Sequence, residues 1–256
     1  MDQTSLQESV LAYQAHYRSQ YEQFTPYAEY FDLRGTEFLL MALRLRRLFE
    51  PLRWGRVLEV GSGNGFGCLL WGLLAEHVVG VDGAGETETA KRLVAASPGH
   101  AEHIRYEEGA CEDLSGVEGI FDLVVTQYAL EHFRDADRSL REIHSHVAPG
   151  GHAIHIVPNA ANRHKWYIEY RSSLRWWNRV KHSLRYRGRW MTLKDPFGYT
   201  APHDGTRGTF EEEMRNYTLE HWAELILRND AVIVDYFPTR DLNWVIVSQP
   251  LAVQAA

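Results

Sequence analysis

Short apolar runs, several ending in a glycine or a carboxylate, alternate along this chain with segments whose apolar positions recur at helical spacing. Val57–Val60, Val78–Asp82, Ile104–Glu107, Phe121–Thr126, His152–Val157, Ala231–Tyr236 and Trp244–Ser248 read as strands. Between them, Cys68–Ala75 and Glu86–Ala96 read as helices, the second stopped by Pro98 and Gly99. Leu140, Ile143 and Val147 mark the sheet-facing side of another. Thr218 is a plausible N-cap for a last helix, running to Asn229, with Leu219, Trp222, Ala223, Leu225 and Ile226 inward. Strands alternating with helices imply a parallel sheet with right-handed crossovers.

The first 50 or so residues read as helical. Leu6, Val10, Tyr13 and Tyr17 recur at helical spacing, Tyr21, Phe24, Tyr27, Tyr30 and Phe31 cluster around Pro26, and Leu39, Leu40, Leu43, Leu45 and Leu48 form an apolar face. That segment packs against the sheet or forms a lid over a ligand, in which case Tyr17, Tyr21 and Tyr30 reach the ligand.

Candidate chemistry begins where the first strand breaks into Glu59-Val60-Gly61-Ser62-Gly63-Asn64-Gly65-Phe66-Gly67. Glycines let backbone approach a ligand closely, and the helix behind them favours a polar or anionic group. The dinucleotide fingerprint fails in both frames, because its third glycine falls on Phe66 or Cys68. The acid, the alternating glycines and the Phe121–Val125, Leu130-Glu131-His132 and Pro149-Gly150-Gly151 blocks together resemble class I S-adenosylmethionine-dependent methyltransferases, of the type 11 pattern. The resemblance is close over residues 55 to 160 and holds by pattern only over 217 to 248.

The resemblance implies an α/β fold: a three-layer, Rossmann-like sheet of seven strands, the last antiparallel, with N-terminal helices and a helical cap inserted after strand five. The units would be an N-terminal lid (1–50), a cofactor-binding core (51–160), a cap (161–216) and a C-terminal helix and hairpin (217–250). It also implies S-adenosylmethionine, held by Glu59, Gly61, Ser62, Gly63, Gly65, Asp82, Gly83, Cys111, Glu112 and Gln127. Glu59 would lie near the methionine ammonium. Asp82, about 20 residues past the loop, would accept the ribose hydroxyls. Where the family usually has an adenine-binding Asp, this chain has Ala110, which passes that contact to Cys111 or Glu112.

Methyl transfer asks mainly for alignment of acceptor, methyl and sulfur, and needs a base only for a protonated acceptor. His132 and His203 are the candidate bases; Tyr128, His132, Asn159, Tyr21 and His203 are the candidate acceptor contacts. His155 lies within strand five and reads as structural, and no catalytic metal is indicated. The DNA-methylating relatives carry an Asn/Asp-Pro-Pro-aromatic motif where this chain has Thr126-Gln127-Tyr128-Ala129. The resemblance implies a small-molecule or glycan acceptor, lipid-linked and surface-polysaccharide sugars included, methylated on oxygen or nitrogen. The competing reading is a non-catalytic S-adenosylmethionine-binding regulatory module associated with a membrane surface.

Charge changes this picture in one place. The chain carries a net charge of -7, yet residues 163–190 hold nine Lys or Arg against the single acid Glu169. Trp166, Tyr170, Leu174, Trp177, Val180 and Leu184 fall on one side of that segment as a helix, and Arg171, Arg175 and Arg179 on the other. It packs as a cap, attaches to an anionic membrane surface, or binds an anionic acceptor. The acidic remainder disfavours nucleic acid. Two cysteines, Cys68 and Cys111, make neither a disulfide framework nor a zinc site, and no segment is apolar enough to span a bilayer. Those features suggest a cytoplasmic setting, with peripheral contact at the inner membrane surface through the basic arm. Oligomeric state is left open.

Overall fold

The computed structural model describes residues 3–25, 29–97, 101–133, 135–159, 217–241 and 243–251. His203, Tyr27, the loop 194–208 and the basic arm 163–190 lie outside the described residues.

Seven strands form one sheet: β1 (Trp54–Val60), β2 (Ala75–Asp82), β3 (Ile104–Glu108), β4 (Phe121–Gln127), β5 (Val147–Val157), β6 (Ala231–Pro238) and β7 (Trp244–Pro250), in the order β3-β2-β1-β4-β5-β7-β6. The first five are mutually parallel, and β7 runs antiparallel to both neighbours, β5 and β6. Strand alternation divides the core in two. Val57, Val78, Leu123, Val125, Ile154 and Ile156 face one layer of helices. This layer holds α1 (Gln3–Arg18), α2 (Tyr30–Leu45), α3 (Phe66–Gly72) and α4 (Ala84–Ala95). Leu58, Val60, Val79, Val81 and Val124 face α5 (Ala136–Ser145) and α6 (Leu219–Leu227). The Thr218 hydroxyl caps α6 by accepting from His221 N at 3.2 Å, as expected.

Three expectations shift. The apolar helix after the glycine loop ends at Gly72, and Ala75 already belongs to β2. Val147 starts β5 rather than closing the preceding helix. Helix α2 buries Phe31, Phe38, Met41, Ala42 and Leu45, while its Leu40 and Leu43, and Leu48 beyond its end, stay exposed. Close approach of α1 sets this rotation: a Cβ on Gly35 would meet the Gln14 side chain at 2.6 Å.

The N-terminal helices pack firmly. Tyr17 is fully buried among Phe24, Phe31 and Phe66, and its hydroxyl donates to Leu93 O at 2.8 Å. It is a packing residue rather than a ligand contact. Among the described residues, no helix is long and apolar enough to cross a membrane.

Candidate active site

Gly61, Gly63 and Gly65 have φ of +76°, +52° and +83°, a region that favours glycine. Their surroundings differ. A Cβ on Gly61 would lie 2.4 Å from Ala129 Cβ, and one on Gly65 would lie 2.5 Å from Tyr106 Oη and 2.7 Å from Ala90 Cβ. Those two glycines serve the protein's own packing. Around Gly63 nothing lies within 4 Å of the same position, so it forms the open face of the loop.

The loop is fastened from both sides. Asp82, at the end of β2, accepts from Gly63 N through Oδ2 and from Gly83 N through Oδ1, both at 2.7 Å. Asn64 Oδ1 accepts from Phe66 N at 3.2 Å and from the Tyr30 hydroxyl at 3.3 Å, and its Nδ2 donates to Phe24 O at 3.4 Å. The N-terminal helical segment is therefore tied to the glycine loop through Asn64, which the sequence reading passed over.

Glu59, Asp82 and Gln127 occupy alternate positions at their strand ends and face the same helix layer as Val57, Val78 and Val125. Glu59 is 2% exposed and tucked beneath α3, where a Cβ on Gly67 would lie 2.2 Å from its Oε1. Burial pushes its carboxyl up to about 7, Cys68 and Arg34 pull it partly back, and Asp82 pushes it further up. Its Oε2 has no hydrogen-bond partner among the described residues. A buried carboxylate oxygen left this way is costly, and a cationic ligand group is the natural partner for it.

Beside this lies a polar cluster that pattern reading missed in part. Tyr128, just past β4, has φ +54°, and its N donates to Ile156 O at 2.8 Å. Its hydroxyl donates to Glu37 Oε1 on α2 and accepts from Asn243 Nδ2 at 2.9 Å. Gln127 Nε2 donates to Glu37 Oε2 at 3.3 Å. Arg34 bonds the same oxygen at 3.1 Å, and its guanidinium stands 4.1 Å over the Tyr128 ring. Glu37 and Asn243 are buried. With Glu59 and Asp82 this makes, among the described residues, three carboxylates against one guanidinium, a balance suited to a ligand of net positive charge.

The other predicted residues fall at the edges. Cys111 and Glu112 are half-buried in a turn closed by Asp113 N donating to Ala110 O at 3.0 Å. The Cys111 thiol is pushed up to about 12 by burial, with the Asp82 charge adding to it. Ser62 is buried, and its hydroxyl has no partner among the described residues. His132 is 46% exposed, with Nε2 4.0 Å from Glu131 Oε1. Asn159 is half-buried just past β5. Tyr21 sits in a short 3-10 turn, its hydroxyl donating to Glu22 at 3.2 Å. His155 is fully buried, bonded through Nδ1 to Thr126 Oγ1 at 2.9 Å, and burial lowers its pKa to about 3, which fits the structural role expected of it. Among the described residues, no group of three or more His, Cys, Asp or Glu is placed to hold a metal ion.

This arrangement suits a cation-bearing ligand and stands at the carboxyl ends of parallel strands, where open α/β sheets place their ligands. Comparison with known proteins agrees. A family model described as a methyltransferase domain matches residues 33–200. The chain is 31% identical over 88 residues to the uncharacterized methyltransferase YcgJ of Bacillus subtilis, a match covering 34% of each protein. It is 32% identical over 108 residues to a ubiquinone biosynthesis O-methyltransferase of Mesorhizobium japonicum, covering 42% of this chain and 41% of that one. The matched region thus spans well under half of either curated relative. Among solved structures, an O-methyltransferase from neocarzinostatin biosynthesis, in complex with S-adenosylmethionine and 2-hydroxy-5-methyl naphthoic acid, shares the fold at a TM-score of 0.52 and 16% identity. That match covers 85% of this chain and 57% of that one. With the family model spanning most of the chain and the sheet order and glycine loop in place, the protein belongs to the class I S-adenosylmethionine-dependent methyltransferases.

Proposed function

We propose that this methyltransferase acts on an oxygen of a small hydroxylated acceptor, with nitrogen as the alternative, in the cleft between the glycine loop and the Tyr128 cluster. One juxtaposition carries this reading: the Glu59 carboxylate under the loop, its Oε2 without a partner among the described residues, beside Gln127, Tyr128 and Asn243. Glu59 takes the methionine ammonium, and the open face of Gly63 admits the cofactor backbone. Gly61, Ser62 and Gly65 shape the loop around it. Asp82 holds Gly63 N and Gly83 N and keeps lone pairs for the ribose hydroxyls. Removing its carboxylate therefore loosens the loop as well as the sugar. Cys111 and Glu112 border the adenine. When bound, S-adenosylmethionine supplies an electrophilic methyl on a sulfonium.

Tyr128, Gln127 and Asn159 line the acceptor side, with Tyr21 and His132 at its margin. The main contribution of these residues is to hold the acceptor in line with the methyl and to exclude water. His132, being exposed, can relay a proton to solvent if the acceptor enters protonated. Oxygen is favoured because the ubiquinone-biosynthesis and neocarzinostatin relatives are both O-methyltransferases by name. A lipid-linked sugar acceptor and peripheral membrane contact depend on residues 163–190, and His203 as a base on the loop near it, all outside the described residues.

The test is methyl-labelled S-adenosylmethionine incubated with the full chain and a panel of phenolic acids, hydroxylated aromatics, amines, free sugars and lipid-linked sugars in anionic vesicles. Label should enter the hydroxylated aromatic class, with matching release of S-adenosylhomocysteine. Turnover confined to the vesicle-borne sugars would move the acceptor to the glycan class. No acceptor-dependent turnover, with cofactor bound, would replace the enzyme reading with the non-catalytic binding module.

A further inference from the structure

Glu59 on β1, Gly80 on β2 and Tyr106 on β3 stand side by side, in the registers Glu59↔Gly80 and Gly80↔Tyr106. The middle position has no side chain, and the space above it is taken by its neighbours. A Cβ on Gly80 would lie 2.6 Å from Tyr106 Cδ1 and 2.7 Å from Cys68 Sγ. The gap between the carboxylate and the phenol is thus filled by the thiol of α3.

That thiol is polar where the rest of the buried face of α3 is not. Phe66, Leu69, Leu70 and Trp71 are buried beside it, and Cys68 is fully buried with them. A small apolar residue would serve packing alone. Cys68 instead hydrogen-bonds the Glu59 carboxylate, and Tyr106 bonds Cys68. Glu59 Oε2 has no partner among the described residues, so the thiol bond falls on Oε1. The Tyr106 hydroxyl also donates to Gly65 O at 2.9 Å. A polar row therefore runs from Glu59 through Cys68 and Tyr106 to the backbone of the glycine loop.

Other groups act on the same carboxylate. Asp82 on β2 repels it. Arg34 on α2, which also bonds Tyr30 and Glu37, attracts it. Tyr30 and Tyr106 stand near it as neutral phenols. Of these groups, the thiol does most to hold the carboxyl down, ahead of the guanidinium. A donor in contact, in dry surroundings, restrains the direction of a carboxylate as well as favouring its charge.

We propose that Cys68 is a positioning residue for the cofactor: its thiol holds Oε1 of Glu59 and so directs Oε2 to the ammonium of S-adenosylmethionine. This deepens the proposed function and rests on its assignment of Glu59. Tyr106 ties the same row to Gly65, so the carboxylate and the loop keep one mutual placement.

Alanine and serine at position 68 both remove the sulfur, and only serine keeps a donor. The test is calorimetric titration of the full chain from about pH 6 to pH 8, the range spanning the Glu59 titration. The ligands are S-adenosylhomocysteine and 5′-methylthioadenosine, which lacks the amino-acid end. Preference of the wild-type chain for S-adenosylhomocysteine should rise as Glu59 loses its proton near pH 7. Cys68→Ala should cut S-adenosylhomocysteine affinity at neutral pH by about 3- to 10-fold, the worth of one weak donor on a carboxylate. It should also move the rise to higher pH. Cys68→Ser should restore most of the affinity and bring the rise back toward that of the wild type. Both variants should leave 5′-methylthioadenosine binding within about threefold, inside the spread of single contacts. Equal weakening by alanine and serine, or an unmoved pH profile in Cys68→Ala, overturns the proposal and makes Cys68 a packing residue. An equal loss for both ligands does the same. A wild-type chain with no pH-dependent preference between the two ligands removes Glu59 from the ammonium, and this proposal falls with that assignment.

Discussion

Glu59→Gln should make the ligand-free protein more stable at neutral pH and weaken its hold on the cofactor. The Glu59 carboxyl is buried, lacks a partner on Oε2, and is raised by that burial from 4.5 to about 7. The sign follows from linkage. The native state binds this proton more tightly than the unfolded chain, so unfolding releases it between roughly pH 4.5 and 7. Stability falls as pH rises through that window, and the full penalty is present above it. A shift of that size corresponds to at most about 3 kcal/mol. Glutamine carries no charge to desolvate and removes the pH dependence. It also removes the anion for the methionine ammonium, so S-adenosylhomocysteine affinity should drop by about 10- to 100-fold. Thermal melts from pH 5 to pH 8, with and without S-adenosylhomocysteine, check both signs. The variant's advantage should grow up to about pH 7 and then level off, while ligand raises the wild-type midpoint far more. A variant less stable than wild type at pH 8 would show that Glu59 already has its partner within the fold.

The second large effect is a contrast between two glycines of one loop. Gly65→Ala forces a side chain to φ +83° and drives its methyl into Tyr106 Oη at 2.5 Å and Ala90 at 2.7 Å. Left-handed strain and overpacking together should cost about 3–5 kcal/mol. Gly63→Ala, at φ +52° with nothing within 4 Å, should cost only about 1 kcal/mol of strain. Its methyl enters the space assigned to the cofactor, so affinity should fall by about tenfold or more at nearly native stability. Denaturant unfolding paired with calorimetry separates the two. Equal stability losses at both positions would mean that Gly63 is also enclosed by protein.

Why Gly63 is left open while Gly61 and Gly65 serve the fold was not legible in the sequence. The alternation Gly61, Gly63, Gly65 is visible there, but the neighbours that decide it, Ala129, Tyr106 and Ala90, come from distant elements. The strands were legible because apolar runs and the Asp82 terminus are local signals. Their ends were less so. Leu69 to Leu74 is apolar almost throughout, so periodicity alone does not mark where α3 stops and β2 begins. The expected strand His152–Val157 begins earlier, at Val147, and runs through Gly150 at φ +81°.

The N-terminal helices show the same limit. Helix α2 carries leucines on both sides, and only the approach of Gln14 to Gly35 selects the buried one. Arg34, Glu37 and Asn243 were not singled out in the sequence, because only the fold brings them against Tyr128. The signal that was available is a charged pair three residues apart in an otherwise apolar helix. Tyr128, Gln127 and Asp82 could be singled out as candidates because they stand at strand ends, where parallel sheets place their ligands.

Titration of the full chain with S-adenosylmethionine, S-adenosylhomocysteine and NAD tests the central claim most directly. One equivalent of either sulfur nucleoside should bind, with affinity rising as Glu59 loses its proton near pH 7, and NAD should give no heat. Tight NAD binding without sulfur-nucleoside binding would contradict it.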